Sequence, residues 1–229
     1  MAPVSSVLIA NDEKLGQALT YLFSVVLKGG LNFVRDTPTT ADQIDGLRGA
    51  DVVMVHLAQE ADGLELIASL KKLAERPVII ALYDKGQSLG AKAFLAGADD
   101  VVSWPASLHE LALRTYARLG RSLEDPVLAD CDRNWDTEAF IVERAGLSVA
   151  EAQILRVLYS NAGEIVSRDA LSIAVDDRPW RYGDRKFDVH VGKIRKKLKD
   201  SFGAEVSLAT VRATGYQFRM NRTGVFAQS

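Results

Sequence analysis

The apolar residues of the first half of the chain fall into short runs separated by stretches with helical periodicity. Between Glu13 and Leu27, apolar side chains recur three and four positions apart, the spacing of one buried helical face. Short apolar runs that alternate with amphipathic helices are typical of a parallel sheet with crossover helices. The runs that we expect to form its strands are Val4–Ala10, Leu31–Arg35, Asp51–His56, Pro77–Leu82 and Val101–Ser103.

The last helix of this half is expected to begin at a capping box, Ser107-x-x-Glu110. After Gly120 the periodicity stops and a polar segment leads to Pro126, which is typical of a linker. We therefore predict a first domain at 1–121, a linker at 122–127 and a second domain at 128–225. Weak alternation through Arg144 favours short antiparallel strands at the start of the second domain.

Three helices and a hairpin follow in the second domain. Ser148-Val-Ala-Glu151 is a second capping box, Ser167 is a candidate cap for a short helix, and a third helix is expected from Asp184 to about Lys199. The runs Ser207–Arg212 and Gly215–Met220, joined by Ala213 and Thr214, predict a β-hairpin. Three helices followed by a hairpin are the order of a winged helix.

Composition excludes several other classes of protein. The chain has 229 residues, 48% of them apolar and 25% charged, which is ordinary globular usage for two domains. No apolar run is long enough for a membrane span and the N-terminus lacks a secretory signal, so we expect a cytoplasmic protein. The lone cysteine, Cys131, is expected to be a small, partly buried apolar residue. Histidines at 56, 109 and 190 are too scattered for a ligand set, so no metal or cofactor is expected.

Charge is distributed unevenly along the chain. The formal net charge is -2, yet Gly183–Arg222 contains ten Lys or Arg against four Asp or Glu. A basic patch on an acidic chain indicates a polyanionic partner. A solvated helix face is the usual alternative for such a run, and only a neighbouring DNA-binding motif favours the first interpretation.

That motif is present. The third helix of the second domain reads R-K-F-D-V-H-V-G-K-I-R-K-K-L from Arg185 to Leu198, and the hairpin reads T-V-R-A-T-G-Y-Q-F from Thr210 to Phe218. Both resemble the recognition helix and wing of OmpR/PhoB-type response regulators, in order and spacing, over residues 147–218. The resemblance implies a winged helix-turn-helix that binds double-stranded DNA, commonly at direct repeats as a dimer.

The resemblance also implies roles for single residues. Lys193 is the candidate for base contact, Arg212 is expected in a minor groove, and Lys196, Lys197 and Lys199 are expected to attract phosphates. Two departures from the family pattern are Gly192, where a long basic side chain is common, and Ala213, where the wing usually has glycine. The full set of expected DNA contacts is Arg185, His190, Lys193, Arg195, Lys196, Lys197, Thr210, Arg212 and Tyr216.

The segment 176–183 lies between the second and third helices of this domain. It matches the loop with which those regulators approach RNA polymerase, and Trp180 and Tyr182 flank Arg181 there. A polymerase contact is one interpretation. Aromatic residues that fix the loop to its own core are the other.

The first half resembles the receiver domain of the same regulators, a flavodoxin-like five-stranded parallel sheet, on V-L-I-A-N-D-E (7–13), D-G-L (62–64) and G-A-D-D (97–100). Aspartyl phosphorylation needs a carboxylate nucleophile, Mg²⁺, a hydroxyl and a cation. The matching positions hold His56, Leu82 and Trp104, with Val101 at the aromatic switch, and only Asn11 and Asp12 remain of the acidic pair. We therefore predict no aspartyl phosphorylation.

The lost chemistry leaves alternatives for this pocket. His56, Leu82 and Trp104 can fill a collapsed, drier site, the site can hold a small molecule or metal, or His56 can accept phosphate. We favour the first, because phosphohistidine transfer usually uses an exposed helical imidazole.

Related regulators dimerise through their fourth helix, fifth strand and fifth helix. Asp99, Asp100 and Arg114 match residues of that face, and Leu95 replaces an acidic one. Burial of an apolar side chain needs no charge partner, so the sequence predicts a dimer that does not depend on activation.

The sequence therefore predicts a DNA-binding transcriptional regulator, not an enzyme, that acts without phosphorylation and as a dimer. An enzymatic phosphorelay would need the missing aspartate. An adaptor whose winged helix binds protein is disfavoured by the basic patch. A ligand- or partner-gated regulator, whose receiver is an interaction module, remains the alternative.

Overall fold

The computed structural model describes residues 3–130 and 134–221. Cys131 and the end of the predicted second domain, residues 222–225, lie outside the described residues. The chain forms two compact units, Met1–Ala139 and Phe140–Ser229, here called the N-terminal and C-terminal units. The division falls after Ala139 rather than at the predicted linker 122–127.

The N-terminal unit contains the predicted five-stranded parallel sheet. Its strand order is β2-β1-β3-β4-β5, with every neighbouring pair parallel. Strand β1 lies between β2 and β3, so the chain changes its direction along the sheet after β2, as expected when crossover helices cover both faces. The strands are β1 (Ser5–Ile9), β2 (Gly30–Val34), β3 (Val52–His56), β4 (Val78–Asp84) and β5 (Asp100–Trp104).

Four helices connect these strands and a fifth follows the last strand. Apart from Ala41–Asp45, which has no buried residue, they bury apolar side chains. The predicted helix over Glu13–Leu27 forms as an α-helix that becomes a π-helical turn, Tyr21–Val26, with five of its six residues buried. The Ser107 side chain does not cap the last helix, and the Leu108 N–H donates to Asp136 Oδ1 at 3.1 Å. The helices are α1 (Glu13–Thr20), α2 (Ala41–Asp45), α3 (Glu60–Leu70), α4 (Gly90–Ala96) and α5 (Leu108–Arg118).

The strands predicted before Arg144 are wrong, since helices α6 (Pro126–Ala129) and α7 (Trp135–Arg144) occupy this region. Asp125 accepts a hydrogen bond from the Val127 N–H and Pro126 takes the first helical position, which together favour a helix start. In α7 the three consecutive positions 137–139 are buried as well as Trp135, which strict alternation along a strand does not allow. His109 of α5 bonds the Leu128 carbonyl oxygen and lies 4.5 Å from the Trp135 ring.

The C-terminal unit has the predicted winged-helix order. The Ser148–Glu151 capping box forms, and the Ser167 hydroxyl accepts from the Ala170 N–H. A strand that the sequence analysis missed, β6, adds to the hairpin in a sheet of order β6-β8-β7. The elements are α8 (Val149–Ser160), β6 (Ile165–Ser167), α9 (Arg168–Asp176), α10 (Lys186–Phe202), β7 (Val206–Val211) and β8 (Gly215–Met220).

Strand β6 can pair closely with β8 because Gly215 has no side chain. A Cβ atom there would lie 2.0 Å from the Val166 carbonyl oxygen, so the close antiparallel approach of β6 and β8 requires glycine. Within residues 3–130 and 134–221, no helix has the length and apolarity needed to cross a membrane.

Candidate DNA-binding surface and receiver pocket

Helix α10 has one buried face and one exposed face. Phe187, Val191, Ile194 and Leu198 are at most 1% exposed and pack into the core of the C-terminal unit. Positions 185, 189, 192, 193 and 196 are exposed and share the opposite face by their helical spacing. Three of the predicted contacts, Arg185, Lys193 and Lys196, thus lie on a surface open to a ligand. The helix is anchored on one side and free on the other, as a groove-binding helix must be.

His190 and Arg195 lie at the edges of this exposed face. His190 is half-buried, and its Nδ1 is buried without a hydrogen-bond partner among the described residues. Arg195 Nε donates to the Leu208 carbonyl oxygen at 2.6 Å, and its Nη2 donates to the Thr210 hydroxyl at 2.5 Å. Arg195 therefore fastens α10 to β7, and the predicted contacts Arg195 and Thr210 bond to each other.

Lys197 is half-buried beside the exposed stripe, and its charge is paired within the C-terminal unit. Its Nζ donates to the Glu151 carboxylate at 2.7 Å and to the Gly146 carbonyl oxygen at 2.8 Å. Burial opposes ionisation of Glu151, but the Lys197 ammonium and the Ser148 N–H outweigh it and lower the pKa of this carboxyl. The prediction that Lys197 attracts phosphate is corrected: its charge is already matched at the start of α8.

Tyr216 is likewise an internal residue. Its ring is fully buried, so the predicted direct contact from the wing is corrected. The hydroxyl donates to Asp188 Oδ1 at 2.6 Å, Arg168 Nη2 donates to the same oxygen at 2.7 Å, and the Arg168 guanidinium lies 4.9 Å from the ring centre. Burial and the Asp188 carboxylate raise the pKa of Tyr216, and the Arg168 and Tyr216 donors lower the pKa of Asp188. The three side chains connect α9, the first turn of α10 and β8.

The tip of the hairpin carries the remaining predicted wing contact. Arg212 is exposed there, beside Ala213, which has a φ of 63°. A positive φ is unfavourable for alanine, and glycine is the usual residue at such a turn position. The chain therefore presents a guanidinium at the wing tip on a strained turn.

The two aromatic side chains of the segment between α9 and α10 differ in their contacts and exposure. The Trp180 N–H donates to Asp169 Oδ1 at 2.9 Å, and its Nε1 donates to the Asp184 carbonyl oxygen at 3.0 Å. Tyr182 packs edge-on against Trp180 and is 98% exposed. The tryptophan fixes the loop, and the tyrosine is displayed to solvent.

The receiver pocket lies at the carboxyl ends of β3, β4 and β5. His56 pairs with Leu82 in the sheet register, and Asp84 pairs with Trp104. The His56 side chain is 4% exposed, its Nε2 lies 3.2 Å from Asp84 Oδ1, and its Nδ1 has no partner among the described residues. Leu82 is fully buried and Trp104 is half-buried. A buried imidazole and two bulky side chains therefore occupy the strand ends.

Asp12 serves the backbone of α1. Its Oδ1 accepts from the Lys14 N–H at 2.9 Å and from the Leu15 N–H at 3.2 Å, while neighbouring Asn11 is exposed. Throughout residues 3–130 and 134–221, no cluster of three or more His, Cys, Asp or Glu side chains is placed to hold a metal ion.

The face formed by α4, β5 and α5 combines apolar and paired charged residues. Leu95 is 84% exposed beside Phe94, which is half exposed. The Asp100 carboxylate is 4% exposed and bonds Arg114 Nη1 at 3.3 Å and Arg118 Nε at 3.1 Å. Asp99 accepts two hydrogen bonds from Arg76, of 2.7 and 2.8 Å. The acidic residues expected on this face already have partners within the chain.

Comparisons with known proteins agree with this architecture. The family described as "Transcriptional regulatory protein, C terminal" matches residues 143–218. The sensory transduction protein RegX3 of Mycobacterium tuberculosis is 31% identical over 93% of this chain and 99% of its own length. This chain belongs to the OmpR/PhoB family of DNA-binding transcriptional response regulators.

Two solved structures are also similar. The response regulator DrrB of Thermotoga maritima, an OmpR/PhoB homologue, is 20% identical over 93% of this chain and 98% of its own, with a TM-score of 0.40. The DNA-binding domain of Klebsiella pneumoniae RstA, in complex with the RstA box, is 37% identical over 32% of this chain and 72% of its own, with a TM-score of 0.29.

For an OmpR/PhoB regulator, the structure adds residues that the sequence analysis did not single out. Asp84 is the neighbour of His56, because β4 extends two residues beyond its predicted end. Arg168 and Asp188 form the network under Tyr216, and exposed Val189 belongs to the open face of α10. Helical spacing from Lys193 and Lys196 was enough to find Val189. The partners Asp84 and Arg168 are distant in sequence and gave no such signal.

Proposed function

We propose that this regulator binds specific DNA sequences without aspartyl phosphorylation and as a homodimer, at directly repeated sites. The observation that carries the DNA part is the exposed face of α10. Lys193 and Lys196 lie there without ion-pair partners in the described chain, on a helix whose other face is fully packed. Arg212 adds a further cation at the wing tip, suited to a narrow minor groove.

The chemistry of the strand ends supports independence from phosphate. His56 supplies no carboxylate to attack a phosphodonor, and Leu82 and Trp104 supply neither a hydroxyl nor a cation for the transferred phosphoryl oxygens. The remaining carboxylate, Asp12, is engaged with two N–H groups of α1. Restoring one missing group would therefore leave the others absent.

The exposed apolar residues of α4 support dimerisation. Asp99 and Asp100 already have arginine partners, so an association driven by new ion pairs would have to break existing ones. Burying Leu95 breaks none, and each buried leucine side chain contributes about 1.5 to 3 kcal/mol. A symmetric contact buries two copies.

A partner-gated regulator is the second candidate, and Tyr182 is the observation that favours it. An aromatic side chain that is 98% exposed on a loop held by Trp180 is suited to a protein contact. RNA polymerase is the partner that the family suggests. Under this hypothesis DNA binding by the purified protein alone is weak.

The DNA experiment uses the full-length, untreated protein and a library of random duplexes. We expect a preferred directly repeated sequence at physiological salt. Arg212→Ala should lower the affinity for it and reduce the slope of log affinity against log salt by about one. Arg219→Ala, which removes an exposed arginine elsewhere on the hairpin, is the matched control and should change neither. Absence of any preferred sequence would contradict the proposed function.

The dimer experiment is sedimentation equilibrium of the full chain at micromolar concentration. We expect a dimer that Leu95→Ser converts to monomer and that Leu123→Ser, at another exposed leucine, leaves intact. A monomeric wild type that still selects DNA would contradict the dimer. A monomer that selects DNA only with RNA polymerase present would favour the second candidate.

A further inference from the structure

The last residue of α9 and the first residue of α10 form an ion pair. Lys186 Nζ donates to one carboxylate oxygen of Asp176 at 2.6 Å and to the other at 2.8 Å. The Asp176 side chain is 15% exposed and the Lys186 side chain is 39% exposed. Arg178 Nη2 approaches the same carboxylate at 3.8 Å. The pair therefore joins the two helices directly, across the segment 177–185 that connects them along the chain.

Neither charge is favourable for the helix that carries it. A helix has partial positive charge at its N-terminal end and partial negative charge at its C-terminal end. Asp176 places a carboxylate at the C-terminal end of α9, which ends there because Asp177 has a left-handed backbone with a φ of 53°. Lys186 places an ammonium at the N-terminal end of α10. The two charges are therefore explained by the contact between the helices and not by either helix alone.

A second ion pair reaches the same turn of α10 from the other end of α9. Arg168, the first residue of α9, donates to Asp188 Oδ1 at 2.7 Å. Helix α9 is about 12 Å long, so its two contacts with α10 start from well-separated points. Two such contacts resist rotation of the first turn of α10 relative to α9, whereas one contact leaves a pivot. This turn follows the exposed Arg185.

We propose that Asp176 is a positioning residue for DNA recognition, because with Lys186 it holds the first turn of α10 in the orientation that sequence-specific binding requires. This inference rests on the proposed function. The Asp176 carboxylate repels phosphates, so its charge taken alone weakens DNA binding. Its favourable effect acts through Lys186, whose ammonium is bound by the carboxylate.

Specific and non-specific DNA binding separate this role from the alternatives. Non-specific binding depends mainly on the charges that face the phosphates, whereas specific binding also requires that the helix fits the groove. Loss of positioning therefore weakens binding to the preferred sequence alone. Loss of a repelling charge strengthens binding to any duplex, and loss of structure weakens binding to any duplex.

The test measures the dissociation constants of the full-length protein for the preferred duplex and for a scrambled duplex of the same composition, at physiological salt. Asp176→Ala should weaken binding to the preferred duplex by about five-fold, the factor set by one partly exposed ion pair. Its binding to the scrambled duplex should change by less than two-fold. Asp200→Ala removes an exposed carboxylate near the C-terminal end of α10 and is the matched control. It should leave the ratio of the two constants unchanged.

Lys186→Gln gives a second variant, in which the net charge changes in the opposite direction. It should lower the preference for the selected sequence by the same factor, because it breaks the same contact. The double variant Asp176→Ala with Lys186→Gln should lose no more preference than either single variant. Asp176→Lys combined with Lys186→Asp should recover the preference, since it rebuilds the pair with each charge at the helix end that favours it.

The outcomes distinguish this inference from the proposed function. If Asp176→Ala binds the preferred duplex as tightly as wild type does, or if it loses affinity for both duplexes equally, the positioning role is overturned and the function stands. Losses that add in the double variant overturn it as well. A library that yields no preferred sequence overturns the proposed function and this inference together.

Discussion

Arg195 and Thr210 are joined by a hydrogen bond of 2.5 Å that ties the recognition helix to the first strand of the wing. A second donor of the same guanidinium bonds the Leu208 carbonyl oxygen. These two contacts fix the hairpin relative to α10, and so fix the spacing between Lys193 and Arg212. A planar guanidinium makes both bonds at once, which the single ammonium of lysine does with poorer geometry.

Arg195→Lys should therefore weaken DNA binding although it keeps the charge. We expect a loss of affinity of about ten-fold, equivalent to about 1.4 kcal/mol, with an unchanged salt slope. The measurement is a salt titration on the preferred duplex. If Arg195 acted mainly on phosphates, the lysine variant would bind as wild type does and Arg195→Ala would reduce the slope by about one.

Lys193 and Lys197 should behave differently although they are close in sequence. Lys197 bonds Glu151 and the Gly146 carbonyl oxygen, so Lys197→Ala should lower the free energy of unfolding of the C-terminal unit by about 1 to 3 kcal/mol. Lys193→Ala should leave stability within about 0.5 kcal/mol and reduce DNA affinity. Urea unfolding and DNA titration of both variants check this. Two variants that lose the same stability and the same DNA affinity would contradict a structural role for Lys197 and a DNA-binding role for Lys193.

Acid should destabilise the C-terminal unit through Glu151. Its folded-state pKa is lowered, so its contribution is fully present above the unfolded pKa of about 4.3 and is lost as pH falls through the folded value. The folded-state pKa of Asp188 is also lowered, so loss of its charge in acid destabilises the unit in the same way. Glu151→Gln should be less stable than wild type at pH 7, and the difference should shrink toward pH 3. Hydrogen exchange of the α8 amides measures it, and a difference that grows in acid would contradict the mechanism.

Much of this fold could be predicted because its signals are local. The Ser148–Glu151 capping box, the apolar spacing of α10 and the short runs that become β1 to β5 are all readable within a few residues. The family motif then placed Lys193, Lys196 and Arg212, which the structure leaves exposed.

The failures involve partners that are distant in sequence. Lys197 was assigned to phosphate because its run is basic, yet its partner Glu151 lies 46 residues away. Ser107 makes no side-chain cap bond, and the N–H at the start of that helix, on Leu108, is bound by Asp136 of α7. Tyr216 lies on the inner face of β8 with Phe218, as strand alternation indicates, and the motif alone pointed to the surface.

Ala213→Gly should stabilise the hairpin. The left-handed backbone at this residue disfavours a Cβ atom, and glycine removes that strain while costing unfolded-state entropy, for a net gain of about 0.5 to 1 kcal/mol. Hydrogen exchange of the β7 and β8 amides should slow accordingly. Thr214→Gly, at a neighbouring residue without positive φ, is the control and should not slow it. Faster exchange in Ala213→Gly would show that the turn is not strained.

His56→Asp should fail to restore phosphorylation. The new carboxylate would lie beside Asp84 and still lack a cation at Trp104 and a hydroxyl at Leu82. We expect intact-protein mass spectrometry to show no phosphoryl adduct after incubation with acetyl phosphate and Mg²⁺. We also expect lower stability of the N-terminal unit, because two carboxylates replace an imidazole–carboxylate contact. A stoichiometric adduct would mean that the pocket retains the missing functions.

Phosphorylation independence is tested by the dissociation constant for the preferred duplex, measured for the wild-type protein at physiological salt before and after treatment with acetyl phosphate and Mg²⁺. We expect tight, sequence-selective binding without the phosphodonor, and a dissociation constant that the phosphodonor leaves unchanged. Weak binding that tightens ten-fold or more on treatment, together with a covalent adduct, would contradict it.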